Sequence, residues 1–366
     1  MRRVVQSLRG RQDASARAAE ASSEQRPIDS LPVLPRFPAP ISTGPFEPAA
    51  ANDGAFFRLL PAELRHQILV HAFGGRTIHL DLFYTYGDIR TPHTTADTEL
   101  RHRRDWRWRV WSCHRQPSTP SILCECTSGA PPTDCSAHTT PCRVGGLASG
   151  WLRASRRAYA EGIKVLYGGN AFFVTSGAML LRTHHLLPRH HCSAIRSLVV
   201  LLSEANLREE TRKFFGARWE GDAAWYTQLI LAIREGFPGL KKLEISLLDS
   251  LRLFSGVQGD RWLVPLDDLV LAFGAQLEDV QVLLQPGLFS SLSGLDNDGR
   301  IDDSPTPGLS SDEQMTAWRP VGVESKGGRR PLATQSSPTT RGELGYWLKS
   351  IPYQANMYDL LTVPLI

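Results

Sequence analysis

The sequence predicts an α+β fold. A helical module, split in two, carries strands and an irregular cysteine-containing insertion, and repeat-like α/β units with a short parallel sheet follow it. A disordered N-terminus precedes this body, and a long C-terminal loop and a tail come after it. Three observations predict the arrangement. Two helix patterns that end in paired glycines, "FFRLLPAELRHQILVHAFGG" and "GGLASGWLRASRRAYAEGIKVLYGGN", lie about 90 residues apart. A short apolar pattern recurs three times, at "IRSLVV", "LKKLEI" and "LEDVQV". Elsewhere Pro, Ser and Gly dominate long stretches, where a packed core has little to build on.

Residues 1–53 read as a tail. "MRRVVQSLRGRQDASARAAEASSEQR" is rich in Arg, Ala and Ser, as mitochondrial presequences are, but Asp13, Glu20 and Glu24 are residues such segments avoid. "PIDSLPVLPRFPAPISTGPFEP" has a proline every few residues, which removes backbone donors, fixes φ and gives an extended linker. Residues 54–175 form the split module. Its first helix opens with Pro61, whose missing N–H costs nothing in a first turn. Leu64, Ile68 and Ala72 recur at helical spacing, Phe57 and Leu60 extend the stripe, and Gly74-Gly75 ends the helix. "RTIHLDLFY" alternates as a strand with Ile78, Leu80 and Leu82 on one face. After an insertion at about 85–145, Leu147, Trp151, Ala154, Ala158, Gly162 and Val165 trace the stripe of a second helix. Gly168-Gly169 closes it and "AFFV" resumes as a strand.

Residues 176–290 hold the three repeated strand patterns. Helical patterns, "AAWYTQLILAIREGF" and "PLDDLVLAFGAQ", precede the second and third. Alternating helices and strands predict parallel strands, because each helix crosses back over the sheet. The pattern is similar to the strand segment of leucine-rich repeats, although the copies lie further apart than the roughly 20–29 residues of such repeats. A plain open α/β sheet fits equally. Residues 291–340 read as a flexible loop with an anchor at Trp318, and 341–366 as an apolar tail that packs back on the body.

Composition narrows the function classes. A net charge of +4 on 366 residues does not by itself mark a nucleic-acid or membrane partner. Runs such as "SLVVLL" fall far short of the roughly 20 apolar residues of a membrane helix. No apolar secretory core stands near Met1. An intracellular protein, cytoplasmic or nuclear, is expected, and its six cysteines then serve as metal ligands or thiols rather than as disulfides.

Five of those cysteines share one segment: Cys113, His114, Cys124, Cys126, Cys135, His138 and Cys142. Thiolate and imidazole are the usual zinc ligands and a structural site needs four of them, so structural zinc is a candidate cofactor. The spacing lacks paired C-x-x-C knuckles, so thiols without metal fit as well. "HHLLPRHHC" (His184, His185, His190, His191, Cys192) is a second metal candidate, otherwise a surface loop. "RHRRDWRWRVWSCHR" interleaves Arg with Trp106, Trp108 and Trp111, a mixture that binds single-stranded nucleic acid by charge and stacking. The alternation also makes an amphipathic strand, with Trp106, Trp108 and Val110 inward, and that reading is the favoured one. "LDNDGRIDD" resembles a calcium loop but lacks both end carboxylates. No phosphate loop, G-x-G-x-x-G or nucleophile elbow is present, so no catalytic residue is assigned.

"LLPAELRHQIL" resembles the first helix of the F-box, where a Leu-Pro and spaced aliphatics dock on the Skp-type adaptor of cullin ubiquitin ligases. More widely, several motifs occur in the order seen in a group of uncharacterised fungal proteins that share domain of unknown function 7730. They are Leu60-Pro61 with Glu63, Arg65 and Ile68; Arg76 to His79; Trp106 to Arg115; and Gly150 to Phe172 with Arg156, Tyr159, Glu161, Leu166, Tyr167 and Asn170. Where that group carries a cysteine before Arg156, this chain has Ser155, so no metal ligand is expected there. An ordinary F-box also runs straight into further helices, whereas here a strand and the insertion intervene.

The resemblance implies an F-box-like interaction protein, and with no catalytic motif found a non-enzymatic one is expected. Leu60, Pro61, Leu64 and Ile68 would form its docking face, with a protein partner, a Skp-type adaptor in the F-box case. The same four residues filling the core against the Trp151 helix is the competing expectation. A zinc-stabilised nucleic-acid-binding protein and an enzyme built on the α/β region are the alternative functions.

Overall fold

The computed structural model of the protein describes residues 54–86, 104–113, 145–203, 223–248, 261–293, 316–321, 333–334 and 344–351. Helices α1 (Ala55–Leu59) and α2 (Ala62–Phe73) lead into a hairpin of β1 (Thr77–Tyr86) and β2 (Arg104–Ser112). Then come α3 (Gly145–Ala154), α4 (Arg156–Gly168), β3 (Ala171–Val174), α5 (Gly177–Leu186), α6 (Arg189–Ala194) and β4 (Ser197–Ser203). The chain continues through α7 (Ala223–Gly236), β5 (Lys242–Leu248), α8 (Val264–Phe273), β6 (Asp279–Leu284) and α9 (Pro286–Ser293). The last described elements are β7 (Thr316–Pro320), β8 (Ala333–Thr334) and β9 (Gly345–Ser350).

Among the described residues the nine strands belong to one sheet, ordered β2-β1-β3-β4-β5-β6-β9-β7-β8. The run β1-β3-β4-β5-β6-β9 is parallel throughout. β2 closes one edge antiparallel to β1, and β7 returns antiparallel to β9 at the other. Neighbouring parallel strands follow chain order. Right-handed crossovers taken in that order always step the same way, so the connecting helices collect on a single face. The core agrees. Ile78, Leu80, Phe172, Leu198, Val200, Leu243, Ile245, Val280, Val282 and Leu348 point to one side. There they pack with Met179, Leu180, Leu229, Ile233, Leu266, Leu269 and Phe289 of the helices. The opposite face buries a smaller set, Phe173, Val199, Leu201, Leu283 and Ile351.

The parallel strands expected in 176–290 are present, and β3 pairs with β4 in register, so the sheet runs unbroken across residue 175. Three local differences have physical causes. The single helix expected over 147–165 is two, because Ser155 stands extended and its side chain accepts the N–H of Ala158 at 3.0 Å, starting a new helix. The histidine-rich stretch read as a surface loop is helical, with Pro188 capping α6 where it lacks nothing by having no N–H. The stretch read as a flexible loop contributes β7 and β8, and the tail contributes β9, whose alternate residues Tyr346, Leu348 and Ser350 are buried. Trp318, expected as a brief anchor, sits on β7 against Trp347, ring centres 5.2 Å apart. The strand over Trp106 and Trp108 exists as β2, but Val110, expected inward, is half exposed. At the end of α2 the left-handed residue is Gly75, with φ of +67°, a conformation that suits glycine. Among the described residues no helix is long and apolar enough to cross a membrane.

Candidate functional site

The helix α2 is apolar on two sides, and the fold chooses between them. Arg65, Leu69 and Phe73, spaced by four, turn inward, and Leu69 and Phe73 pack with Val165 and Trp151. Arg65 takes the first inward position because it has a partner there. Its Nε and Nη2 donate to the two carboxylate oxygens of Glu161 at 2.9 and 2.8 Å, a bidentate pairing, and Nη1 donates to the carbonyl of Leu60. Arg157 adds a bond to the same carboxylate at 3.3 Å. Both guanidiniums lie over the ring of Phe57, 5.7 and 5.0 Å from its centre. Burial alone would push the Glu161 carboxyl up. The hydrogen bonds and charges of Arg65 and Arg157 outweigh that and hold it below the ordinary glutamate range.

A second clamp closes the far ends of the same helices. Asn170 donates through Nδ2 to the carbonyls of Phe73 and Leu166, both at 2.8 Å, and its Oδ1 accepts the N–H of Arg76 at 2.9 Å. These bonds satisfy the last carbonyls of α2 and α4 where no helical partner remains. Gly162 lets α3 cross closely: a Cβ there would stand 2.8 Å from Trp151 and 2.9 Å from Leu152. Phe56 and Phe57 of α1 meet Trp151 at ring distances of 4.8 and 5.6 Å.

With the inward side fixed, the other apolar side faces out. Leu64 and Ile68 are 46% and 45% exposed, and Leu59 of α1 is 76% exposed. Pro61 is exposed and Leu60 half-buried. Of the four residues predicted to dock, Leu64, Ile68 and Pro61 therefore reach solvent and do not fill the core against Trp151. Sequence reading missed Leu59, and it missed Arg65 and Asn170 as what holds the face outward.

Of the predicted metal ligands, Cys113 directly follows β2 and is half-buried, its N–H donating to the Thr77 carbonyl at 2.8 Å. His114, Cys124, Cys126, Cys135, His138 and Cys142 lie outside the described residues, as does the calcium-like loop. Among the described residues no group of three or more His, Cys, Asp or Glu is placed to hold a metal. The second histidine cluster is well defined. The hydroxyl of Tyr159 lies 2.7 Å from Nε2 of His191 and 3.3 Å from Nε2 of His190, and His191 stacks on Tyr167 at 4.4 Å. Burial lowers the pKa of His191 to about 4, with help from His190, so its ring is neutral at physiological pH. Burial raises Tyr167 to about 12 and the Cys192 thiol to about 11, so neither is ionised there.

Deeper in the body, Arg319 of β7 donates to both oxygens of Asp267 in α8 at 3.0 and 2.8 Å, and Tyr346 of β9 donates to the same carboxylate at 2.9 Å. All three side chains are buried. A groove of about 350 Å³ lies between α7 and α8, lined by Ile230, Leu231, Arg234, Val264 and Asp268 among others.

The family described as Domain of unknown function (DUF7730) matches residues 49–272, well over half of the chain. The chain belongs to that family. No curated protein and no solved structure matches it. Within the DUF7730 match lie α1 to α7 and nearly all of α8, so both clamps, the outward face and the Tyr159 cluster fall inside it. The sheet does not end with it, because β6 and β9 extend the parallel run beyond residue 272.

Proposed function

We propose that this chain is a protein-interaction module whose docking surface is the outward side of α1 and α2, fitted to the Skp-type adaptor of a cullin ubiquitin ligase in the cytoplasm or nucleus. The observation that carries this reading is the exposure of Leu59, Leu64 and Ile68 on helices whose opposite side is locked by Arg65–Glu161 and Asn170. Three large aliphatics left in water on a short rigid element form the kind of patch that a partner covers, and a helix presenting residues four apart suits a hydrophobic groove. The choice of partner rests on the resemblance of "LLPAELRHQIL" to the first F-box helix. The following helices, which an F-box has at once, here arrive after the hairpin as α3 and α4, and they support α2 from behind.

The test is direct binding of the purified full chain to purified adaptor. Binding is expected, together with its loss in a Leu64→Asp/Ile68→Asp variant that keeps the parent's circular dichroism and urea midpoint. A wild-type chain that does not bind the adaptor at tens of micromolar, on the order of the weakest specific contacts, overturns the reading.

A further inference from the structure

The docking surface leaves unexplained why two adjacent histidines and a tyrosine aim their polar atoms at one point. α6 is a single short helix, and neighbours along a helix normally diverge by about 100°. Yet the rings of His190 and His191 stand only 4.2 Å apart, and Nε2 of each lies within 3.3 Å of the Tyr159 hydroxyl on α4. We propose that Tyr159, His190 and His191 form a binding site for an exchangeable divalent transition metal of the imidazole-preferring kind, copper(II) ahead of zinc(II).

The two separations that involve Tyr159 fit a ligand set. Three ligand atoms at about 2.0–2.1 Å from a common metal stand roughly 2.9–3.4 Å from one another. The Tyr159–His190 separation of 3.3 Å lies inside that range already. The Tyr159–His191 separation of 2.7 Å has only to open by a few tenths of an ångström. His191 is held in place by Tyr167 stacked beneath it, and Tyr167 is itself stacked on Phe172 at 5.4 Å, so the buried side of the site is an aromatic wall. The other side is open, because His190 is exposed and leaves a path for the ion and for water ligands. Cys192 is excluded as a ligand by direction, since its buried sulfur points at the Leu187 carbonyl. Imidazole nitrogen favours copper, nickel and zinc over hard ions, and copper(II) heads the divalent series. Coordination by Tyr159 as phenolate releases its proton to solvent, so uptake strengthens as pH rises.

The test titrates the full chain with copper(II) by calorimetry and visible absorption, alongside Tyr159→Phe and His190→Ala variants, with zinc(II) as the second ion. Copper(II) oxidises free thiols, so the accessible cysteines are alkylated first in all three proteins, and binding by residues elsewhere is then common to them. The expected result is one copper site that both variants bind about tenfold more weakly or worse, with a phenolate-to-copper absorption band absent from Tyr159→Phe. His190 is exposed and Tyr159→Phe keeps the ring, so both variants should retain the parent's circular dichroism. Either variant binding copper as the wild type does, or a wild type without the band, overturns the proposal.

Discussion

Arg65 is a charged residue placed where the helix pattern calls for an aliphatic one, and it is tolerated because each nitrogen of its guanidinium donates a hydrogen bond. Two donors meet Glu161, one meets the Leu60 carbonyl, and the plane covers Phe57. Removing one partner of such a pair costs more than the pair contributes, since the other charge stays buried and unmatched. Glu161→Gln is therefore expected to lose about 2–3 kcal/mol in urea unfolding, although the mutated side chain is itself only partly buried. The pH dependence follows with a definite sign. The folded carboxyl titrates below the unfolded one, so its contribution is fully present above the unfolded value of about 4.3 and is lost as pH falls below it. Wild-type stability should fall through that acid range more steeply than that of Glu161→Gln. Equal slopes would remove the ion pair from the account.

At the scale of elements, α2 decides what the molecule presents. Leu69→Ala, in the cluster with Phe73 and Val165, is expected to cost about 2–4 kcal/mol, whereas Leu64→Ala and Ile68→Ala should each stay within about 0.5 kcal/mol. Urea midpoints of the three variants check which side faces in. The crossing of α3 over α4 gives a second expectation: Gly162→Ala puts a methyl into Trp151 and Leu152 and should cost about 1–3 kcal/mol by overpacking.

The same elements show what a sequence can reveal. The existence of β1, β3, β4, β5 and β6 was legible because their apolar periods are regular, and that of α2 from Pro61 at its start and the paired glycines at its end. The face of α2 was not, because aliphatics at Leu64 and Ile68 compete with Leu69 and Phe73, and an arginine marks the true inward side. Its signal, a Glu 96 residues away, is invisible to local periodicity. The break at Ser155 was hidden for the opposite reason, since the stripe from Trp151 to Val165 continues in phase across it. β7 was masked by its polar flanks, and its Arg319 has a partner only once the chain is folded.

At the scale of the whole molecule, the sheet argues that the folding unit is larger than the family's matched stretch. That stretch ends at residue 272, inside α8, yet α8 is held by strands that come later. Leu266, Leu269 and Val270 pack in the same core as Val280, Val282, Tyr346 and Leu348. Asp267 receives Arg319 from β7 and Tyr346 from β9, all buried. A fragment of residues 49–272 would lose the donors to that carboxylate, expose the edge of β5, and leave the inward side of α8 bare. Such a fragment is expected to be proteolysed rapidly and to show no cooperative unfolding, while 49–351 unfolds in one transition. A single substitution separates the ion lock from the lost strands. Asp267→Ala in the full chain leaves Arg319 buried without its carboxylate and should cost about 3–5 kcal/mol. It should also speed amide exchange in β7 and β9 more than in β1 and β3, because the lock ties the late strands to the helical layer. If 49–272 folds cooperatively alone, or if exchange rises evenly over the sheet in Asp267→Ala, then the late strands are an appendage rather than part of the core.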